Sequence, residues 1–185
     1  MPAGAQRVLT LASRSPQRRA ILEQLGVAFT VEEPDAQERT AGDAEALVAH
    51  NARAKAQSVR AGLVLGVDTA VELDDRVFGK PADEGQARGF LRLLAGRTHR
   101  VWSGIALIED GRERSAVSMT HVRFRRLGPE EIDWYIATGE WRERAGAYAI
   151  QERGAALVER VEGDYTGVVG LPVAELVRLA PALLR

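Results

Sequence analysis

Val64-Leu65-Gly66-Val67-Asp68-Thr69-Ala70-Val71-Glu72-Leu73-Asp74-Asp75-Arg76-Val77-Phe78-Gly79-Lys80-Pro81 is the stretch whose reading decides the fold. It lies on an apolar run, Leu63 to Val67, broken only by Gly66. A short β-branched run of this kind reads as a buried strand. An acid, Asp68, stands where the run stops, and in open α/β sheets ligands sit just beyond the carboxyl ends of strands. Ala70 to Leu73, the polar pair Asp74-Asp75 and Arg76 to Phe78 then read as a hairpin with a tight acidic turn. Gly79-Lys80-Pro81 closes it with a flexible residue, a cation and a stiff residue. A carboxylate and an ammonium thus stand at the two ends of one small β unit. That pair suits a metal-bound polyphosphate, the acid holding the metal and the cation an oxygen. The same residues also suit a plain cap and loop, so the rest of the chain has to weigh in.

Upstream, Val8 to Ala12 reads as a strand and Ser13-Arg14-Ser15-Pro16 as its exit. Ser15 is a good helix N-cap, Pro16 suits the first helical position, and Gly26 suits the stop. Ile21, Leu22 and Leu25 form the buried stripe. Hydroxyls and arginines at a helix start favour phosphate, although a capped helix with solvated arginines has the same sequence. Phe29 to Glu32 is a second strand, residues 33–42 an acidic loop with Pro34, Asp35 and Glu38, and Asp43 to about Ala61 an Ala-rich helix carrying Lys55.

Downstream, Asp83 caps a helix through Leu94 that Gly96 ends. His99 to Glu109 and Glu113 to Phe124 are long strands joined by Asp110-Gly111-Arg112, a hairpin signal. Pro129 to Thr138 is a helix closed by Gly139, 141–151 a loop of small residues, Ala155 to Glu162 a strand, and Gly163 to Leu171 a Gly-rich turn. The last helix starts at Pro172, and Pro181 bends or ends it. Helices and strands alternate, but two hairpins interrupt the rhythm. The expected fold is a single α/β domain with a mixed β-sheet and flanking helices.

Bulk properties exclude several classes. A chain of 185 residues can bury a core without staples. Its formal charge of −1 leaves no electrostatic footprint for bulk nucleic acid or an anionic membrane. With no cysteine, disulfides and thiolate metal sites are out, which fits a reducing, cytoplasmic setting. Met1 to Arg7 lack the layout of a signal peptide, and no apolar run approaches the roughly 20 residues of a membrane span. There is no Gly-x-Gly-x-x-Gly fingerprint, no P-loop and no Gly-x-Ser-x-Gly elbow. His50, His99 and His121 lack metal-ligand spacing and read as surface or half-buried side chains. Carboxylate, ammonium, guanidinium and amide remain, a set suited to metal-assisted hydrolysis at phosphorus.

Four pieces resemble one family when taken together: Leu11-Ala12-Ser13-Arg14-Ser15-Pro16-Gln17-Arg18-Arg19; Asn51-Ala52-Arg53-Ala54-Lys55-Ala56; Gly66-Val67-Asp68-Thr69 with Gly79-Lys80-Pro81; and Ala145-Gly146-Ala147-Tyr148-Ala149-Ile150-Gln151. Val168-Val169-Gly170-Leu171-Pro172 also fits. In this order they resemble the Maf-type nucleoside triphosphate pyrophosphatases. The resemblance implies an inosine-triphosphatase-like fold with a groove between two lobes, often as a homodimer. It also implies cleavage between the α and β phosphates with a divalent metal, Mg²⁺ or Mn²⁺.

By the same resemblance Asp68 is the catalytic acid, usually described as proton acceptor; the metal is expected on Asp68 and Glu38 (or Asp35). Ser13, Arg18, Lys55 and Lys80 face the phosphates. The second acid maps onto Glu38, with Asp35 the alternative. Thr69 and Gln151 stand where the family's thymine- and uracil-preferring members are marked, and a Gln amide can meet an imide N–H and one oxygen together. Gln17 stands where one branch carries Arg, and Ala149 where Gly is common. Rival readings are a pyrophosphatase for 7-methyl-GTP or deaminated purine triphosphates and, in another class, a nucleotide-binding regulator of septum formation.

Overall fold

The computed structural model describes residues 8–184. The reading of Met1 to Arg7 therefore lies outside the described residues. In chain order the elements are β1 (Leu9–Ala12), α1 (Pro16–Gln24), β2 (Phe29–Glu32), α2 (Ala44–Ser58), β3 (Leu63–Leu73), β4 (Arg76–Phe78), α3 (Glu84–Leu94), β5 (Thr98–Glu109), β6 (Arg112–Phe124), α4 (Pro129–Thr138), β7 (Val158–Glu162), α5 (Tyr165–Val169) and α6 (Val173–Leu179). Short 3-10 turns span Ala145–Ala147, Arg153–Leu157 and Pro181–Leu184. Seven strands form one mixed sheet in the order β2-β1-β3-β5-β6-β7, with β4 also on β3. Only β1 pairs in parallel, with β2 and with β3.

β3 is the spine. On one edge it pairs antiparallel with β5 without interruption from Leu63↔Glu109 to Glu72↔Arg100. On the other edge two different strands cover its two halves. β1 covers Val64 to Gly66, and β4 covers Val71 to Leu73. Between them, residues 67–70 have no ladder partner on that edge. Continuous pairing with β5 carries the strand past Asp68. Asp68 therefore lies in mid-strand and not at a strand end, and it is the neighbouring strand that changes there.

The two faces of the sheet are covered differently. The face bearing Gly66, Asp68 and Ala70 packs on α2, because Gly66 and Gly104 have no side chain to hold that helix away. A Cβ at Gly66 would lie 2.1 Å from the Ala52 carbonyl oxygen, and one at Gly104 would lie 2.5 Å from that of Val48. The opposite face carries two apolar clusters. Leu63, Leu65 and Val67 pack with Ile21, Leu22, Leu171 and Leu176 from α1 and the α5–α6 region. Val71, Leu73 and Phe78 pack with Phe90, Leu91, Leu94, Tyr135 and Ile136 from α3 and α4. The boundary between these clusters falls at the uncovered part of the β3 edge. Among the described residues no helix is long and apolar enough to cross a membrane.

Two local expectations are corrected. Ala155 to Leu157 belong to a 3-10 turn, so the strand starts only at Val158. Within Gly163 to Leu171 the chain forms α5, capped by the Asp164 carboxylate on the N–H groups of Thr166 and Gly167. The last helix begins at Val173, just after Pro172, and ends before Pro181.

Candidate active site

The site is built around the uncovered edge of β3. Asp68 is buried, yet both carboxylate oxygens are bonded. Lys55 Nζ donates to Oδ1 at 2.7 Å, and Asn51 Nδ2 donates to Oδ2 at 3.0 Å. Asn51 and Lys55 are four residues apart on α2 and share one helix face. The Lys55 ammonium also meets Glu38 Oε2 at 2.9 Å. One buried cation therefore lies between a buried carboxylate and a half-exposed one. Of the two acids left open for this position, Glu38 is the one that reaches the cluster.

Asn51 carries no signal of its own in the sequence beyond its place in a quoted motif, but it organises this corner. Its Oδ1 accepts from the Arg39 N–H at 2.8 Å, and its Nδ2 donates to the Arg39 carbonyl at 2.9 Å as well as to Asp68. The side chain is satisfied on both ends. It pins the loop carrying Glu38 against the strand carrying Asp68, and the i, i+4 spacing to Lys55 could have singled it out.

On the other face of the sheet the exit of β1 supplies a second group. Ser15 caps α1, with its oxygen accepting from the Arg18 N–H at 3.5 Å. The cap turns Arg18 inward, where its guanidinium is held by three partners. Nε donates to the Gly170 carbonyl at 2.9 Å, Nη1 to Ser13 Oγ at 2.9 Å, and Nη2 to Thr69 Oγ1 at 3.4 Å. Burial lowers the Arg18 pKa, and the charges of Asp68 and Glu38 oppose that shift. Arg18 therefore senses the acid cluster across the strand. Ser13 Oγ accepts from Arg18 Nη1 and from the Ser15 N–H at 3.2 Å. With both lone pairs engaged, its remaining capacity is one O–H donor.

The other expected residues lie farther out. Gln17 is half-buried, and its Oε1 accepts from Ser15 Oγ at 3.0 Å. Gln151 is half-buried, with a long 3.4 Å contact from Nε2 to Glu152. The Gly146 N–H bonds the Gly79 carbonyl at 3.2 Å, which joins the Ala145–Ala147 turn to the Gly79-Lys80-Pro81 segment. Lys80 itself is exposed and paired with Glu143 at 2.8 Å, so it is not part of the Asp68 cluster in this arrangement. That ammonium holds the Glu143 carboxyl below its usual range.

His99 departs from the sequence reading. It is buried, and its Nε2 shares a 2.9 Å hydrogen bond with the Tyr148 hydroxyl. Burial pushes its pKa down to about 4.

The acid cluster also bears on a divalent cation. Two carboxylates are oxygen donors of the kind Mg²⁺ and Mn²⁺ take, and the oxygens of Asp68 and Glu38 already converge on one positive charge. Among the described residues there is no group of three or more His, Cys, Asp or Glu that could hold a metal without help. The donors fit a metal that keeps one or two carboxylates and takes its other ligands from phosphate and water.

Known proteins resemble this chain over nearly its whole length. The model of the Maf-like protein family matches residues 8–183. A dTTP/UTP pyrophosphatase of Thermococcus gammatolerans is 46% identical over 169 residues, covering 90% of this chain and 91% of that one. The dTTP/UTP pyrophosphatase of Anaeromyxobacter sp. is 48% identical over 178 residues, covering 92% and 87%. That of Dictyoglomus thermophilum is 42% identical over 180 residues, covering 92% and 93%.

Proposed function

The chain belongs to the Maf-like protein family, and we propose that it hydrolyses dTTP and UTP to the nucleoside monophosphate and pyrophosphate. The observation that carries this reading is the pairing of two unlike groups across the bare edge of β3. On one face stand the acids Asp68 and Glu38 around Lys55; on the other stand Arg18 and the donor-only Ser13 hydroxyl. A triphosphate with its metal needs both, oxygen ligands for the cation and donors for the phosphate oxygens. The bases follow from the dTTP/UTP pyrophosphatases that the chain resembles.

In this reading Asp68 orients a water toward the α phosphorus and takes its proton as the new P–O bond forms. The anhydride bond to the β phosphorus breaks, and pyrophosphate leaves with the electron pair. Lys55 and Arg18 stabilise the charge that builds on the phosphate oxygens, and Ser13 donates to one of them. Lys80, held only by an exposed carboxylate, is free to exchange Glu143 for a phosphate. A divalent metal held by Asp68 and Glu38 would acidify the attacking water and neutralise phosphate charge. At the base, the Gln151 amide offers a donor to a carbonyl oxygen of the pyrimidine and Thr69 offers its hydroxyl. Reducing, cytoplasmic surroundings suit a chain without cysteine.

The test is product analysis with purified protein, dTTP or UTP, and Mg²⁺ or Mn²⁺. Pyrophosphate and monophosphate should appear in equal amounts and only with the metal. Release of orthophosphate, or no turnover of either nucleotide, would overturn the proposal.

A further inference from the structure

Ser103 on β5 has no part in the chemistry described so far, yet it is 1% exposed and lies between two elements of the site. Its hydroxyl donates to the Gly167 carbonyl of α5 at 2.7 Å, and it lies 3.1 Å from Thr69 Oγ1. A serine hydroxyl has one proton and a carbonyl can only accept. The Ser103 proton is therefore committed to α5, and in the contact with Thr69 it is Thr69 that donates. Thr69 in turn accepts from Arg18 Nη2 at 3.4 Å. One proton and one lone pair of Thr69 are now used, and a single lone pair remains. Thr69 is partly exposed, and no protein group is bonded to this lone pair among the described residues.

We infer that Ser103 is a positioning residue that fixes the Thr69 hydroxyl as a hydrogen-bond acceptor toward the base, so that the site takes pyrimidines carrying an N–H at ring position 3. The inference rests on the proposal that the substrate is a pyrimidine triphosphate whose base meets Thr69. Uracil and thymine present N–H at that position. Cytosine presents a lone pair there, which would face the lone pair of Thr69. With the Thr69 proton held by Ser103, the hydroxyl cannot turn to suit cytosine. A polar site whose proton direction is fixed rejects the mismatched partner because a buried group is left unpaired.

The experiment compares kcat/KM for UTP and CTP on one preparation of each protein, so that the ratio is independent of the folded fraction. Wild type should favour UTP by at least about tenfold, the worth of one hydrogen bond gained or lost. Ser103→Ala releases the Thr69 proton, and the ratio should fall by about tenfold, mainly through a rise for CTP relative to UTP. Ser103→Thr keeps a hydroxyl and should keep the ratio. A purely structural Ser103 would lower both substrates together, so an unchanged ratio in Ser103→Ala overturns the inference. Should that variant not fold, Thr69→Val decides, since it keeps the shape and removes the hydroxyl; there too the ratio should fall, and a retained ratio overturns the inference. A wild type that hydrolyses UTP without preferring it to CTP overturns this inference and leaves the proposed function standing. A wild type that hydrolyses neither UTP nor dTTP overturns both.

Discussion

Gly66→Ala tests whether the seating of α2 on the sheet is what makes the acid cluster. The added Cβ would sit 2.1 Å from the Ala52 carbonyl oxygen and 2.7 Å from the Ala56 amide nitrogen. Both are helix backbone, which cannot swing aside as a side chain can. Ordinary contact begins near 3.4 Å, so helix and strand must separate by about 1.3 Å at this point. Lys55 directly precedes Ala56 and lies three residues after Ala52 on α2, so it moves with them. Its 2.7 Å bond to Asp68 then lengthens past hydrogen-bond range or is kept at the expense of the Glu38 contact. Overpacking of a tight core costs about 1–3 kcal/mol, and strain on a buried ion pair adds to it. We expect a loss of about 3 kcal/mol in urea denaturation, and about a hundredfold loss in kcat/KM for dTTP from a misplacement of about 1 Å. Gly89→Ala is the control. It lies in α3 with nothing within 4 Å of its Cβ, and replacing a helical glycine there should stabilise by up to about 1 kcal/mol without touching activity. If Gly66→Ala matches wild type in both measurements, close approach at Gly66 does not seat α2.

Three further outcomes are open to measurement. Asp68→Asn preserves size and removes charge, and turnover should fall at least about 100-fold, as for a lost general base or metal ligand; turnover within a few-fold of wild type would remove Asp68 from the chemistry. His99 has its pKa pushed from 6.5 to about 4, so as pH falls the unfolded chain takes its proton first. The stability from neutral His99 is full above about pH 6.5 and is lost between there and about pH 4. It amounts to about 3 kcal/mol, and denaturation at pH 7 and 4.5 should show a smaller pH effect in His99→Gln than in wild type. An equal effect in the two proteins would count against a buried neutral imidazole. Gln151→Glu removes the amide donor and adds a charge, so kcat/KM should fall more for dTTP than for 7-methylguanosine triphosphate; equal losses would take Gln151 away from the base.

Hairpins and caps were legible because their chemistry is local. Asp74 and Asp75 both adopt positive φ, 51° and 59°, and Asp110 with Gly111 does the same at 48° and 78°. These are the conformations that tight hairpin turns require and that Asp and Gly tolerate. Ser15 and Asp83 cap the helices that follow them, and Asp43, read only as the start of a helical stretch, caps α2. What was not legible depended on partners distant in sequence. The pair Asp68-Thr69 reads as a strand end because it is polar, but ten consecutive pairings with β5 hold it in extended form. α5 is too short for a helical period to show. Ser103 reads as an ordinary strand residue until the Gly167 carbonyl, 64 positions away, is placed on its hydroxyl.

Alternation along β3 explains why the site needs a gap in the sheet at all. Neighbouring side chains on a strand point to opposite faces. Asp68 accordingly meets Asn51 and Lys55 on α2, whereas Thr69 meets Arg18 from α1 and Ser103. With the edge of β3 fully paired, these two groups would be separated by a continuous hydrogen-bonded ladder and would bind nothing in common. β1 ends at Ala12, opposite Gly66, and β4 does not start to pair until Val71. The opening leaves residues 67–70 without a ladder partner on that edge, and of these Thr69 is partly exposed. Charge follows the same geometry, since Arg18 on one face responds to Asp68 and Glu38 on the other. A substitution that extended either strand across the opening should therefore put a ladder between Arg18 and Asp68 while leaving every side chain of the site in place, and dTTP turnover should fall in a protein whose thermal melt is unchanged.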